Sequence, residues 1–281
     1  MFGKTVKKVV SGILAISATV ACVGTISACE TSHPKVAITL EFQNEEYVLE
    51  YKLYRNIASS TVKHFLALVD AEYYDGVCIH DYDGEDAMYT GGYTYTAGAD
   101  NGGLVGKNYY EIAPTVENFS HSVWFDEAQT KPTYTLYGEF SDNDYKVTNG
   151  AVQESFGALS MYYTEKDCED TVWVKRGDGN GVSEKKYGYN SATSMFSISL
   201  ASTSSVNAKY CTFATLEEDS ADELKALQQA VKDYAGEDEF TTDYTVRVDE
   251  DDAFIGEHNE TATYAVPDAP IVIKTIKIKK I

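Results

Sequence analysis

The chain has 281 residues, 23 Lys and Arg against 44 Asp and Glu for a formal charge of −21, and 43% hydrophobic residues. That length and apolar content allow one large core or two small ones and exclude disorder as the dominant state. The surplus of carboxylates excludes nucleic acid as a partner, because phosphate backbones are held by clustered Lys and Arg.

At the amino terminus Lys4, Lys7 and Lys8 precede an apolar, small-residue run from Val9 to Ile26. This is the charged-then-apolar order of an export signal, although a membrane helix has a similar pattern. The run ends in Ile26-Ser27-Ala28-Cys29, which resembles the lipobox of bacterial lipoproteins. The resemblance implies a signal peptide over 1–28, lipid attachment to the Cys29 sulfur, and a domain on the outer face of the bacterial cytoplasmic membrane. Removing 1–28 deletes three Lys and no acid, leaving 20 basic against 44 acidic residues, a formal −24. Anionic headgroups repel such a surface, so membrane contact is expected through the lipid alone. Residues 29–34 are expected to form a tether.

Val36, Ile38, Leu40 and Phe42 then alternate with mostly polar residues, as do Tyr47, Leu49, Tyr51 and Leu53. The pattern predicts a hairpin turning at Asn44 to Glu46. Ser59 and Ser60 are helix-cap candidates before Val62, Phe65, Leu66 and Val69, whose spacing predicts an amphipathic helix. His64 on that helix is expected to face solvent. Gly76 closes the unit. Val77 to Gly103 is rich in Tyr, Gly and Asp, and 104–132 has no sustained period, so short strands and long loops are expected.

Strands resume around Thr133 to Phe140 and Gly157 to Tyr163. Lys166 to Asn190 has the composition of an inserted hairpin carrying Trp173, and Ser194 to Leu200 alternates as a strand. Ser220 is placed to cap a second helix with Leu224, Leu227 and Val231 on one face, ending at Gly236. Glu237 to Glu239 and Asp249 to Asp252 are expected as solvated loops. Ile271, Ile273, Ile276 and Ile278 slip one place near Thr275, which predicts a bulge. Many short strands with two helices point to a closed or nearly closed antiparallel barrel whose ends the helices cover.

Several segments, in order, resemble the cyclophilin family of peptidyl-prolyl isomerases. Thr61 to Val69 with Tyr73-Tyr74-Asp75-Gly76 is similar to that family's first helix and exit, and Ile79-His80 stands where the family writes Phe-His-Arg. Met88-Tyr89-Thr90-Gly91-Gly92 resembles its Met-x-Gln-Gly-Gly, and Gly138-Glu139-Phe140 and Gly157-Ala158-Leu159-Ser160-Met161 resemble two further stretches. Asn190 to Ile198 and Lys209 to Phe213 are similar to the late Ser-Gln-Phe-Phe-Ile strand and the element ending in Phe-Gly. The resemblance implies a mainly β fold: a closed eight-stranded antiparallel barrel capped by two helices over 35–281, with insertions at about 93–134 and 165–189. It also implies isomerase activity on proline-containing peptides or unfolded exported proteins, with no cofactor and a monomeric state.

Rotation about an X-Pro bond crosses a barrier of roughly 20 kcal/mol, because the C–N bond has partial double-bond character. The family resemblance implies an Arg guanidinium that donates to the prolyl nitrogen as conjugation is lost, an interaction made only in the transition state. The position after His80 is here Asp81, and a carboxylate has no proton to donate at neutral pH. Thr90 replaces Gln, Ser197 the second Phe and Ser205 the pocket Trp, while Tyr210 takes the late His position. Met88, His80 and Phe196 remain, and Tyr162 follows the Leu-Ser-Met stretch. The site candidates are therefore His80 and Asp81 for catalysis, and Met88, Thr90, Tyr162, Phe196, Ser197 and Tyr210 for substrate. The alternative is a weak or inactive member that holds extended peptide.

Two other patterns are expected to be structural. Asp81 to Asp86 spaces carboxylates as a calcium loop does but lacks the closing Glu, so a solvated turn is expected, and the scattered His residues hold no metal. Arg176, beside Trp173, could fold over the groove, but a surface loop is the expected place for it. Cys78, Cys168 and Cys211 are read as isolated buried thiols, with a single bridge left open.

Overall fold

The computed structural model describes residues 33–143, 150–162, 171–176, 180–186, 192–202, 205–206, 210–247 and 261–280. The expected leader over 1–28, Cys29, Cys168 and the acidic stretch 249–252 lie outside the described residues. Among the described residues the strands are β1 (Lys35–Phe42), β2 (Glu45–Leu53), β3 (Val77–Tyr82), β4 (Ala87–Tyr95), β5 (Leu104–Gly106), β6 (Val123–Trp124) and β7 (Leu159–Met161). They continue with β8 (Thr171–Lys175), β9 (Val182–Lys186), β10 (Phe196–Ser199), β11 (Thr212–Leu216), β12 (Thr241–Arg247), β13 (Thr261–Pro267) and β14 (Val272–Lys280).

Alternation along β1 and β2 buries Val36, Ile38, Leu40, Phe42, Leu49, Tyr51 and Leu53 in one core, because successive side chains of a strand take opposite faces. Their turn falls at Gln43 and Asn44, both at positive φ, with Phe42 opposite Glu45. It comes one residue earlier than the composition suggested, since a two-residue hairpin loop whose twist matches the strands needs positive φ at both positions. The main sheet runs β10-β7-β11-β2-β1-β14-β3-β4, and β10 pairs again with β4, which closes an eight-stranded antiparallel barrel. β5 adds a ninth strand on β4. The slip expected near Thr275 is present, with Thr39 opposite Thr275 but Leu40 opposite Ile273.

Two long helices cover the barrel, α1 (Ser59–Asp70) and, after the single turns α2 (Asp100–Gly103) and α3 (Tyr109–Ile112), α4 (Ala221–Ala235). Val62, Phe65, Leu66, Leu68 and Val69 of α1 and Leu224, Leu227 and Val231 of α4 enter the same core. Neither expected serine cap forms. Ser220 instead accepts from the Glu50 amide at 2.9 Å, tying α4 to β2.

At α1 the cap comes from far along the chain: the Ser60 and Thr61 amides donate to the Glu139 carboxylate at 3.0 and 2.9 Å. Glu139 is buried, and an anion at a helix amino terminus meets the positive end of its dipole. Glu139→Gln leaves one of these amides facing an NH2 group, so it is expected to destabilise by about 2 kcal/mol, read as a lower urea midpoint at unchanged slope.

His64 differs from the solvent-facing expectation. It is 1% exposed, donates from Nε2 to the Thr193 carbonyl at 2.7 Å, and meets Phe119 edge-on at 4.9 Å. Tyr109 also stacks on its ring, and both covering residues come from the 93–134 stretch, whose placement over α1 no local pattern reveals. The 165–189 stretch carries the expected hairpin, β8–β9, joined by β6 into a three-stranded sheet. Arg176 follows β8 and is exposed.

Candidate functional site

The outer face of the barrel where β4, β10 and β7 meet carries a cleft of about 140 Å³, lined by Asp86, Ala87, Tyr89, Glu154, Met161, Tyr162, Ser197 and Tyr210. Each lining strand contributes through alternation. On β4, Met88 and Thr90 are buried, so Tyr89 between them turns outward. On β10, Phe196 and Ile198 are fully buried and Ser197 faces out, directly opposite Tyr89. Tyr162 follows β7 and meets Tyr89 edge-on, ring centres 5.7 Å apart.

Among the described residues the cleft joins three phenols, two carboxylates and the Ser197 hydroxyl, with no cationic side chain lining it. Burial and the nearby Asp86 and Asp81 carboxylates raise the Tyr89 pKa, which keeps that phenol protonated at neutral pH. The floor is held by hydroxyl contacts, with Ser197 donating to the Ser160 carbonyl at 3.4 Å and the Ser160 hydroxyl 2.8 Å from that of Thr212. Such a surface offers aromatic faces for a proline ring and O–H donors for a peptide, with acidic groups that disfavour an anionic ligand.

The sequence candidates divide between this cleft and the interior. Tyr162, Ser197 and Tyr210 line the cleft together. Met88 and Phe196 belong to the barrel core, and Thr90 is buried with its hydroxyl donating to the Cys78 carbonyl at 2.8 Å. Ser205 is exposed and its backbone pairs with Glu154.

His80 and Asp81 lie beneath a hairpin formed by β12 and β13, which packs on the outside of β3 with Cys78, Leu104, Val246, Tyr264 and Val266 as its core. His80 is 1% exposed, between Tyr93 and Tyr264 at 5.0 and 4.8 Å, and neither ring nitrogen has a hydrogen-bond partner among the described residues. Burial pushes its pKa down to about 3, so the ring is neutral. The Asp81 carboxylate accepts from the Ala265 amide at 2.9 Å, pinning β13 to the barrel. Burial raises its pKa against that bond, with Asp83 and Asp243 adding to the rise.

The Asp81 to Asp86 stretch is a turn in which Asp83 accepts from the Glu85 and Asp86 amides. Among the described residues no group of three or more His, Cys, Asp or Glu is arranged to hold a metal. Cys78 and Cys211 are free, buried thiols, and burial pushes that of Cys78 up to about 12.

Motif reading passed over Tyr89, Asp86 and Glu154. Tyr89 occupies the unspecified letter of Met-x-Gln-Gly-Gly, yet strand alternation alone turns it outward. The β12–β13 hairpin was also missed, although Tyr244 and Val246, and likewise Tyr264 and Val266, alternate with polar or small residues.

Residues 37–249 match the family model described as cyclophilin type peptidyl-prolyl cis-trans isomerase/CLD. Among solved structures, the chain is similar to a cyclophilin type peptidyl-prolyl cis-trans isomerase of Cryptosporidium parvum, with 16% identity, 89% of this chain and 99% of that one covered, and a TM-score of 0.45. The same Cryptosporidium protein in the presence of the dipeptide Ala-Pro matches at 16% identity, 88% and 99% coverage and a TM-score of 0.44. No curated protein matches.

Proposed function

Because the chain belongs to the cyclophilin type of peptidyl-prolyl cis-trans isomerases, we propose that it takes proline-containing segments into the cleft of Tyr89, Tyr162 and Tyr210 and accelerates rotation about their X-Pro bonds. The observation that carries this reading is the cleft itself: an aromatic, donor-rich recess on the barrel's outer face, at the Ser197 and Tyr210 positions that the family resemblance assigns to substrate. Its clients are exported chains that fold outside the cytoplasmic membrane, met by a monomer tethered through Cys29. The charge and the lipobox-like end of the leader support that placement.

A second reading, peptide holding without turnover, is favoured by Asp81, whose carboxylate cannot donate and is engaged by the Ala265 amide. A protease-free isomerisation assay on the purified protein separates the two. Relaxation of a proline peptide faster than its spontaneous rate, in proportion to protein concentration, is expected. The spontaneous rate at every concentration, together with peptide binding, would establish the holding module instead.

A further inference from the structure

An isomerase needs a donor where the prolyl nitrogen sheds its conjugation, and Asp81 does not supply one. Tyr89 stands directly opposite Asp81 on β3 and directly opposite Ser197 on β10. Opposed residues of neighbouring antiparallel strands share a face with Cβ atoms about 5 Å apart. The phenol therefore rises between the two positions that, by resemblance, carry the donor and the contact to the proline ring. Tyr162 packs edge-on against it and limits the directions in which it can point.

We infer that the Tyr89 hydroxyl is the catalytic hydrogen-bond donor to the prolyl nitrogen as the X-Pro bond twists, a role that rests on the isomerase reading above. No covalent bond forms or breaks. The C–N bond rotates, the nitrogen lone pair leaves conjugation, and the O–H points at it while keeping its proton. Ground-state amide nitrogen accepts poorly, so the interaction belongs to the transition state and enters kcat rather than binding.

The test is Tyr89→Phe in the full chain, which keeps the ring and removes only the donor. The expected result is a fall in kcat/KM for an Ala-Pro peptide of at least ~tenfold, with the peptide Kd changed less than ~twofold and the thermal midpoint unchanged. Wild-type kcat/KM in Tyr89→Phe overturns the donor role and leaves the isomerase reading standing. Rate and affinity lost in parallel also overturn it, because Tyr89 would then be a contact only. Should Tyr89→Phe fail to fold, Tyr89→Trp carries the test: its ring N–H still donates, so it is expected to keep at least about one-tenth of the wild-type kcat/KM, and less overturns the role. A wild-type chain that binds the peptide without accelerating its isomerisation fails the isomerase reading and this inference together.

Discussion

Gly91→Ala is expected to cost at least ~3 kcal/mol and to lower the thermal midpoint by roughly 10 °C, through failure of the strand pairing that closes the barrel. Gly91 sits at φ +102°, where an L side chain is strained, and a Cβ there would lie 2.3 Å from the Ser194 carbonyl oxygen and 2.8 Å from the Met195 Cα. Neither atom can retreat cheaply. The Ser194 hydroxyl donates to the Gly91 carbonyl at 2.8 Å, the Tyr74 hydroxyl donates to the Ser194 carbonyl at 3.1 Å, and the Tyr73 hydroxyl lies 3.0 Å from the Ser194 hydroxyl. Moving Ser194 breaks bonds that are buried, each worth about 1–3 kcal/mol when its partner is left unsatisfied. The same displacement separates Thr90 from Phe196, the register pair next to the glycine. Gly76 provides the control, since it has φ +78° with nothing within 4 Å of an added Cβ. Gly76→Ala should cost only the backbone strain, about 1 kcal/mol. Equal losses in urea unfolding for the two variants would show that strand closure is not what Gly91 protects.

The contrast between these glycines also shows what a sequence can reveal of this fold. The strands were legible in the opening hairpin, where one face is core and the other solvent, as in Val36 to Phe42, and so were the amphipathic stripes of α1 and α4 and the slip near Thr275. Each depends on a period that its own segment carries. The covering of His64 by Tyr109 and Phe119 does not, because the residues that bury it lie in a stretch with no period. The same limit applies to β13 over His80 and Asp81. A motif alignment sets His80 and Asp81 side by side as site residues, whereas in space one is sealed between two tyrosines and the other holds a backbone amide. The cleft was half legible: Tyr162, Ser197 and Tyr210 follow from resemblance, while Tyr89 follows from alternation, which a motif's free letter conceals.

The sealed histidines set the behaviour in acid. His80, with a pKa near 3, and His64, near 4, are both lowered by burial, and for His64 the Thr193 carbonyl offsets part of that effect while His121 adds to it. Around His80 the facing ionisable groups are Tyr93 on β4, Tyr264 on β13, and Cys78 and Asp81 on its own strand. No carboxylate is bonded to its ring among the described residues, so a proton arriving there gains no bonded counter-ion. An unfolded His takes up its proton near pH 6.5. Between that value and the folded pKa the unfolded chain binds more protons than the folded one, so stability rises with pH through this window. It is complete above about pH 6.5 and is lost as pH falls. Each histidine contributes a slope of about 1.4 kcal/mol per pH unit, so between roughly pH 6 and 4 the pair contributes a slope approaching about 2.7, to which His121, also lowered by burial, adds and which Asp81, raised by burial, opposes. For a domain of ordinary stability this is expected to unfold the protein near pH 4 to 5. His80→Phe removes one titration and two buried nitrogens that have no partner among the described residues, so it should lower the slope of stability against pH by about 1.4 kcal/mol per pH unit while leaving stability at pH 7 equal or higher. Urea midpoints measured from pH 7 to pH 4.5 decide the matter: if the variant keeps the wild-type slope, protons enter elsewhere and the sealing of His80 under β13 is not what limits the fold in acid.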